Sequence, residues 1–466
     1  MPLRQLLHTV PALRPLPNSI VRTITTTTTT TRLMTTSTPT PKSALPKNNP
    51  YFSLGGKDIW SLINETAAAK EASSGTKVAN LGQGFFSYSP PKFAVEAAQK
   101  AFENAMDNQY APSQGKPQLI NALAKHYSGK LSYPVTANNV QVTTGANEGM
   151  LAVFFAFLSA GDEVIVFQPY FDQYIPNIEM TGAKVVYAEL HTPPNFSTET
   201  VAGSDYFIDW DELESLITEK TKMVVINTPH NPIGKVFTRE ELDKLGNLAV
   251  KHNFLILSDE VYENLYYTPT FPRIADSKDL EVRRRSLFVG SAGKTFAATG
   301  WRIGWIIGSE ELIPYVKAAH TRVCFSSPAP IQVAVANAIT IADGNGYYAA
   351  MREEYKQKYA ILEAVFDELN LPYTRAEGGY FILVNLAKVQ LPELEWPEDI
   401  KNKPRDFKLA YWLIEEFGVV SIPPSEFYLA KDAHKIEDCL RFAVCKGDDV
   451  LHDAADRLKG LKKYIK

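Results

Sequence analysis

Apolar residues in this chain fall into short continuous runs separated by longer stretches of helical spacing. Seven such runs lie between residue 92 and about residue 330: NVQVTTG (139–145), DEVIVFQP (162–169), AKVVYAEL (183–190), KMVVINTP (222–229), NFLILSDE (253–260), SLFVGSAG (286–293) and RIGWIIG (302–308). They are rich in β-branched residues and lack strict alternation, which predicts strands buried on both faces. Helical spacing is clearest at EGMLAVFFAFLS (148–159) and EELDKLGNLAVKHN (240–253). Thr238 and Glu241 form a capping box at the start of the second. Strands alternating with helices predict an α/β fold with a mainly parallel, doubly wound sheet.

Beyond residue 330 the texture changes. QVAVANAITIADG (332–344), YYAAMREEYKQKYAILEAVFDELN (347–370), DFKLAYWLIEEFG (406–418) and DDVLHDAADRLKGLKKY (448–464) predict helices. GGYFILVNL (378–386) and CLRFAVC (439–445) predict strands. Upstream, KDIWSLINETAAAKEAS (57–73) reads as a helix, and KVANLGQGFFSYSPP (77–91) as a short strand with a glycine-rich loop. The expected organisation is a large domain over residues 92–330 and a smaller α+β domain assembled from 57–91 and 331–466.

Residues 1–34 differ in kind. No Asp or Glu precedes Asp58, arginines are scattered among leucine and hydroxyl residues, and TITTTTTTT (23–31) is low in complexity. This composition predicts a mitochondrial transit peptide over 1–34, followed by a linker or arm over 35–56. Met34 would permit a shorter cytosolic form.

Lysine and arginine total 48 against 52 acidic residues, a net charge of −4, which makes no case for nucleic acid or an anionic membrane. The longest apolar run, MLAVFFAFL (150–158), is too short to span a bilayer. Three dispersed cysteines argue against a disulfide framework. Eight histidines include no H-x-x-x-H pair, so no metal site is expected.

The candidate chemistry sits where the predicted strands end. In open α/β sheets, ligands bind beyond the carboxyl ends of the strands. Lys294, in SAGKTFAATGWRIGW (291–305), lies between two buried runs, where a charge is costly unless the amine is used. A Schiff base to an aldehyde cofactor is one use. A P-loop would need glycine where Phe288 stands, and a serine acylase would need companion motifs this chain lacks. A surface lysine remains open on the motif alone. TTGAN (143–147) offers Gly145 and a helix N-terminus to a phosphate, and Ser291 and Arg302 suit the same group. Phe171 or Tyr170 could stack on a ring. Asp259 in SDEVY (258–262) could hold a proton on a pyridine nitrogen, with Tyr262 beside it, or serve as a helix cap or ion-pair partner.

These motifs carry a resemblance. LGQGFFSYSPP, NQYAPSQGKPQL, NTPHNPIGK, DEVY, GSAGKTFAATGWRIGW and LRFAV occur in the order found in class I/II aminotransferases of fold type I. The wording is nearest to the kynurenine aminotransferase and cysteine-S-conjugate β-lyase subgroup. The likeness spans roughly residues 55–460. It implies pyridoxal 5′-phosphate held on Lys294, with Asp259 on its ring nitrogen. It also implies Tyr262 and Asn231 on its phenolic oxygen, and Phe171 stacked on the ring. Ala146, Asn147, Ser291 and Arg302 would hold the phosphate. Tyr110 would reach the phosphate of a neighbouring subunit, which implies a homodimer with shared sites. Arg441, Asn231 and Gly84 would hold the substrate carboxylate. The implied reaction is a ping-pong transamination between an amino acid and a 2-oxo acid such as 2-oxoglutarate. Trp60, Phe85, Tyr88 and Phe325 would form an apolar pocket for a large or aromatic donor, kynurenine first. Phe325-Ser326 and the GAN phosphate turn depart from the subgroup's usual residues. The donor, and the balance with β-elimination, therefore stay open. A non-catalytic ligand-binding protein on the same fold is the alternative of another class, and the retained lysine argues against it.

Overall fold

The structure is a computed structural model that describes residues 49–52 and 57–466. The expected transit peptide and nearly all of the expected arm lie outside the described residues. Of the unit Met1–Ser53, only residues 49–52 are described, including a 3-10 turn at Pro50–Phe52. Residues Leu54–Lys466 form one compact unit.

All seven predicted strands belong to one seven-stranded sheet. We number them β1 (Val140–Thr143), β2 (Glu163–Gln168), β3 (Lys184–Glu189), β4 (Thr221–Asn227), β5 (Leu255–Asp259), β6 (Ser286–Ser291) and β7 (Gly304–Gly308). Their order across the sheet is β1-β7-β6-β5-β4-β2-β3. Neighbours from β3 through β6 pair in parallel, whereas β7 runs antiparallel to both β6 and β1. Every residue of β1 and β6 is buried, as the continuous apolar runs require for a sheet covered on both faces.

The reversal of β7 positions the site. In register, Gly304 lies opposite Ser291 at the end of β6 and opposite Thr143 at the end of β1. The start of β7 therefore sits beside the finish of its neighbours. Arg302, which precedes β7, reaches the same sheet edge as the loops that follow β1 and β6.

Two helices frame this edge. Helix α1 (Ala146–Phe157) starts immediately after Gly145, which at φ +83° takes a conformation that glycine adopts freely. Helix α2 (Arg239–His252) opens with the capping box: Glu241 N–H donates to Thr238 Oγ1 at 3.2 Å, and Thr238 N–H donates to Glu241 Oε2 at 2.8 Å. Toward the carboxyl terminus, β8 (Phe381–Asn385) and β9 (Cys439–Ala443) pair antiparallel and are fully buried. The segment Ala79–Asn80 pairs in parallel with Val419–Val420, tying the loop that follows it to this layer.

Candidate active site

The loops leaving β1, β2, β4, β5 and β6 converge, with Arg302, on a cavity of about 200 Å³. Ala146, Asn147, Ser291 and Arg302 line it, as do Phe171, Asn231, Asp259, Tyr262 and Lys294. Sequence reasoning named all nine. The structure adds Asn227, Met150 and Val261 to the wall.

Lys294 sits on the one-turn helix Ala292–Thr295 that follows β6. Burial pushes its amine down to about 8, because a cation there has lost its water. Nζ donates to the Tyr380 hydroxyl at 2.6 Å. The lowered value raises the fraction of uncharged amine near neutral pH, and that fraction is available as a nucleophile and a proton acceptor.

Asp259 ends β5, 4% exposed. Burial pushes its carboxyl up, and the Tyr174 hydroxyl counters by donating to Oδ2 at 2.6 Å. Val261 N–H donates weakly to Oδ1 at 3.3 Å. Among the described residues, no lysine, arginine or histidine pairs with Asp259, so the ion-pair reading is not what the fold builds. Asn227 fixes the loop around it. Its Nδ2 donates to the Asp259 carbonyl at 2.9 Å, and its Oδ1 accepts from Asn231 N–H at 2.7 Å.

At the other end of the cavity the helix N-terminus at Ala146 and Asn147 presents N–H groups that have no intrahelical acceptor. The Arg302 guanidinium lies directly on Gly145, where a Cβ would stand 2.5 Å from Nη2. Only glycine leaves room for that cation beside the helix terminus, which makes a cup for a dianion.

Arg441, on β9, is 2% exposed and has no carboxylate partner among the described residues. Nη1 donates to Asn231 Oδ1 at 3.0 Å and Nη2 to the Gly82 carbonyl at 3.0 Å, while Nε has no acceptor. Burial pushes this guanidinium down to about 10. Phe381 packs 4.1 Å from it, ring centroid to guanidinium carbon. The neighbouring loop is held by its carbonyls. Gln83 and Phe85 accept from Lys446 at 3.0 and 2.6 Å, and Gly84 accepts from the Tyr380 hydroxyl at 2.9 Å. The Gly84 N–H meets no acceptor among the described residues. A buried unpaired guanidinium beside a free N–H is suited to a carboxylate.

Five other expected residues lie outside this cavity. Tyr110 is 88% exposed and lies outside the cavity, in edge contact with exposed Phe325 at 5.7 Å between ring centroids. Trp60, Phe85, Tyr88 and Phe325 do not close one pocket within the chain. The Trp60 indole donates to Asp172 at 3.0 Å, Phe85 lies under the Lys446 amine, and Tyr88 hydrogen-bonds Tyr355 at 2.8 Å. Outside the cavity, Glu148, His320 and Cys324 bring donor atoms within 4.8 Å of one another.

Sequence reasoning missed Tyr174, Asn227 and Tyr380. Asn227 stood at the start of NTPHNPIGK and Tyr174 five residues beyond DEVIVFQP (162–169), and the signal was their place at strand ends. Tyr380 gave no signal, because its partner Lys294 is 86 residues away.

The donor set fits pyridoxal 5′-phosphate. A ring bearing a protonated nitrogen would meet the buried, cation-free carboxylate of Asp259, an aldehyde would meet the Lys294 amine, and a phosphate would meet the Gly145–Arg302 cup. Fold and site together define a fold-type-I aminotransferase. Residues 76–458 match the family model for aminotransferase class I and II, and the chain belongs to that family.

Among relatives, it is 55% identical over 424 residues to a Saccharomyces cerevisiae protein named "Probable kynurenine–oxoglutarate transaminase BNA3", covering 90% of this chain and 95% of that one. Rat kynurenine–oxoglutarate transaminase 1 is 34% identical, over 83% of this chain and 92% of its own. The crystal structure of yeast Bna3p superposes with a TM-score of 0.88, covering 90% of this chain and all of that one. That of Escherichia coli YbdL, described with a methionine aminotransferase function, is 28% identical with a TM-score of 0.77, covering 90% of this chain and 100% of that one.

Proposed function

We propose that this chain is a pyridoxal-phosphate-dependent transaminase that moves the amino group of a large or aromatic amino acid, kynurenine foremost, to a 2-oxo acid such as 2-oxoglutarate. The observation that carries the reading is one cavity that holds both a Lys294 amine whose proton burial has loosened and an Asp259 with no salt-bridge partner among the described residues, beside an Arg441 that lacks a carboxylate. The names of the yeast and rat relatives support the donor.

When bound, pyridoxal phosphate supplies an aldehyde and an electron sink. The protein's share is to bind, orient and move protons. Arg441, with Asn231 and the Gly84 N–H, fixes the α-carboxylate and so aims the α-hydrogen. Lys294 Nζ is the base that would take that proton and give it back. Asp259 would hold the proton on the ring nitrogen, and the Tyr174 hydroxyl favours the carboxylate's ionised form against burial. Phe171 would stack on the ring, and Tyr262 with Asn231 would meet its phenolic oxygen.

Tyr110, exposed on the single chain, supports a homodimer in which it completes the neighbouring phosphate site. The acid-free composition before Asp58 supports import into the mitochondrial matrix. The test of the whole reading is turnover of a panel of amino donors against several oxo acids. Kynurenine should be among the fastest donors with 2-oxoglutarate. Fast turnover of methionine beside negligible turnover of kynurenine would replace the donor, a reading that the YbdL likeness favours.

A further inference from the structure

Lys294 Nζ is held by groups outside the cofactor cavity. It lies 2.6 Å from the Tyr380 hydroxyl and 3.5 Å from the Gly84 carbonyl. The Tyr380 hydroxyl donates to that same carbonyl at 2.9 Å and its oxygen accepts from the lysine, with the Tyr262 hydroxyl as a further neighbour. Tyr380 is wholly buried, and burial holds its phenol well above the ordinary range. It therefore stays neutral and acts as a fixed acceptor, not as a base.

Its position is rigid. The ring meets Tyr262 edge-on at 5.0 Å and Phe86 edge-on at 5.6 Å, and its carbonyl accepts from Val444 N–H at 2.9 Å. Glycine at 84 is what allows the hydroxyl so close, since a Cβ there would stand 3.0 Å from it. The Gly84 N–H is also the group proposed above to meet the substrate carboxylate. The seat of the amine and the carboxylate site are thus built on one backbone segment.

We propose that Tyr380 is a positioning residue for Lys294: its hydroxyl is the seat that the amine occupies whenever it is not covalently engaged. The proposal rests on the transaminase reading above. From this seat the amine stands beside the α-carbon of an amino acid held by Arg441 and Gly84, ready for proton transfer. Without it, a four-carbon side chain released into the cavity has several rotamers to sample, and the productive one is populated less.

The test is Tyr380→Phe, which keeps the ring and removes the acceptor. The enzyme is first treated with amino donor alone, so that the cofactor retains the donated amino group and Lys294 is free. The pH dependence of Lys294 acylation by acetic anhydride is then read by peptide mass spectrometry. An oxygen that accepts from the ammonium form favours that form, so its loss should lower the acylation midpoint by about one pH unit. Site-specific 3-fluorotyrosine at 380, a weaker acceptor with the hydroxyl retained, should fall between the two, and it serves if Tyr380→Phe does not fold. In single-turnover half-reactions, Tyr380→Phe should slow the α-proton step about tenfold and raise its deuterium isotope effect, with donor KM little changed. An unmoved acylation midpoint in both variants, or slowing confined to KM, overturns the proposal. Failure of the transaminase reading is separate: it would appear as absent cofactor capture by the wild-type chain.

Discussion

Tyr174 donates its hydroxyl to Asp259 Oδ2 at 2.6 Å, across 85 residues of sequence. Asp259 is buried without a cation, so this neutral donor is the main group stabilising its ionised form. Tyr174→Phe should therefore raise the Asp259 carboxyl further and weaken its hold on a cofactor nitrogen. A hydrogen bond to a charged group contributes about 1.5–3 kcal/mol, so cofactor affinity should fall roughly 10- to 100-fold. Equilibrium dialysis against pyridoxal phosphate checks this. Unchanged affinity would mean that Asp259 does not act through its charge.

Arg441 predicts a separation between cofactor and substrate. Arg441→Lys keeps a cation but loses the planar fork beside Asn231 and Gly82. Truncating a buried charge contact costs about 2–5 kcal/mol, so kcat/KM for every amino donor should drop at least about 30-fold. The absorbance of bound cofactor should not change. Donor-dependent losses would move the carboxylate site elsewhere.

Lys294 makes a prediction about stability and pH. In the cofactor-free folded chain the amine loses its proton near pH 8, against an ordinary value of 10.5. Below pH 8 both folded and unfolded chains carry the charge, and the folded chain bears the full penalty of burying it, on the order of 3 kcal/mol. Between these values the unfolded chain binds more protons, so stability rises with pH, and above 10.5 the penalty is gone. Lys294→Met should be more stable than wild type in urea unfolding at pH 7, with the gap shrinking by pH 10. A gap that is constant with pH would show that the amine is not desolvated.

Gly145 is a steric test of the phosphate cup. A methyl group there would stand 2.5 Å from Arg302 Nη2, at a backbone φ of +83°. Gly145→Ala should strain the turn and displace Arg302, cutting retention of cofactor through gel filtration while the fold survives. Full retention would show that Arg302 is not part of the cup.

Beneath the site, Arg273 pairs with both Glu260 and Glu263, all three almost fully buried. Glu263 is held at about 2: burial opposes this, and Lys130 and Arg273 outweigh it. Glu260, where burial wins over Arg273, is pushed up to about 7. Removing the shared cation leaves two carboxylates in the core. Arg273→Met should therefore destabilise the chain by about 3–5 kcal/mol in denaturant unfolding. A loss under about 1 kcal/mol would show that the carboxylates protonate and the network carries little.

Most of the sheet was legible because strands buried on both faces write themselves as unbroken apolar runs. The strand ends were legible because a carboxylate, a lysine or a glycine following such a run is conspicuous. The direction of β7 was not legible, since RIGWIIG reads the same whichever way it pairs. Yet that direction explains why Arg302, before a strand, joins residues that follow strands. Tyr380 and Tyr174 escaped for a different reason. Tyr380 in an apolar run looks like core, Tyr174 follows a strand with nothing to mark its hydroxyl, and only the fold reveals that these hydroxyls land on Lys294 and Asp259. The aromatic pocket failed as a single-chain feature because residues near one another in sequence, or alike in chemistry, need not face one cavity. Exposed Phe325 is the example.

Lys294 is the residue on which the cofactor chemistry depends. Borohydride reduction of the purified protein after incubation with pyridoxal phosphate, followed by peptide mapping, tests it most directly. The cofactor should be trapped on the peptide carrying Lys294 alone, with loss of the visible or near-ultraviolet band, and Lys294→Met should show neither. Labelling of another lysine, or no labelling and no band, would contradict it.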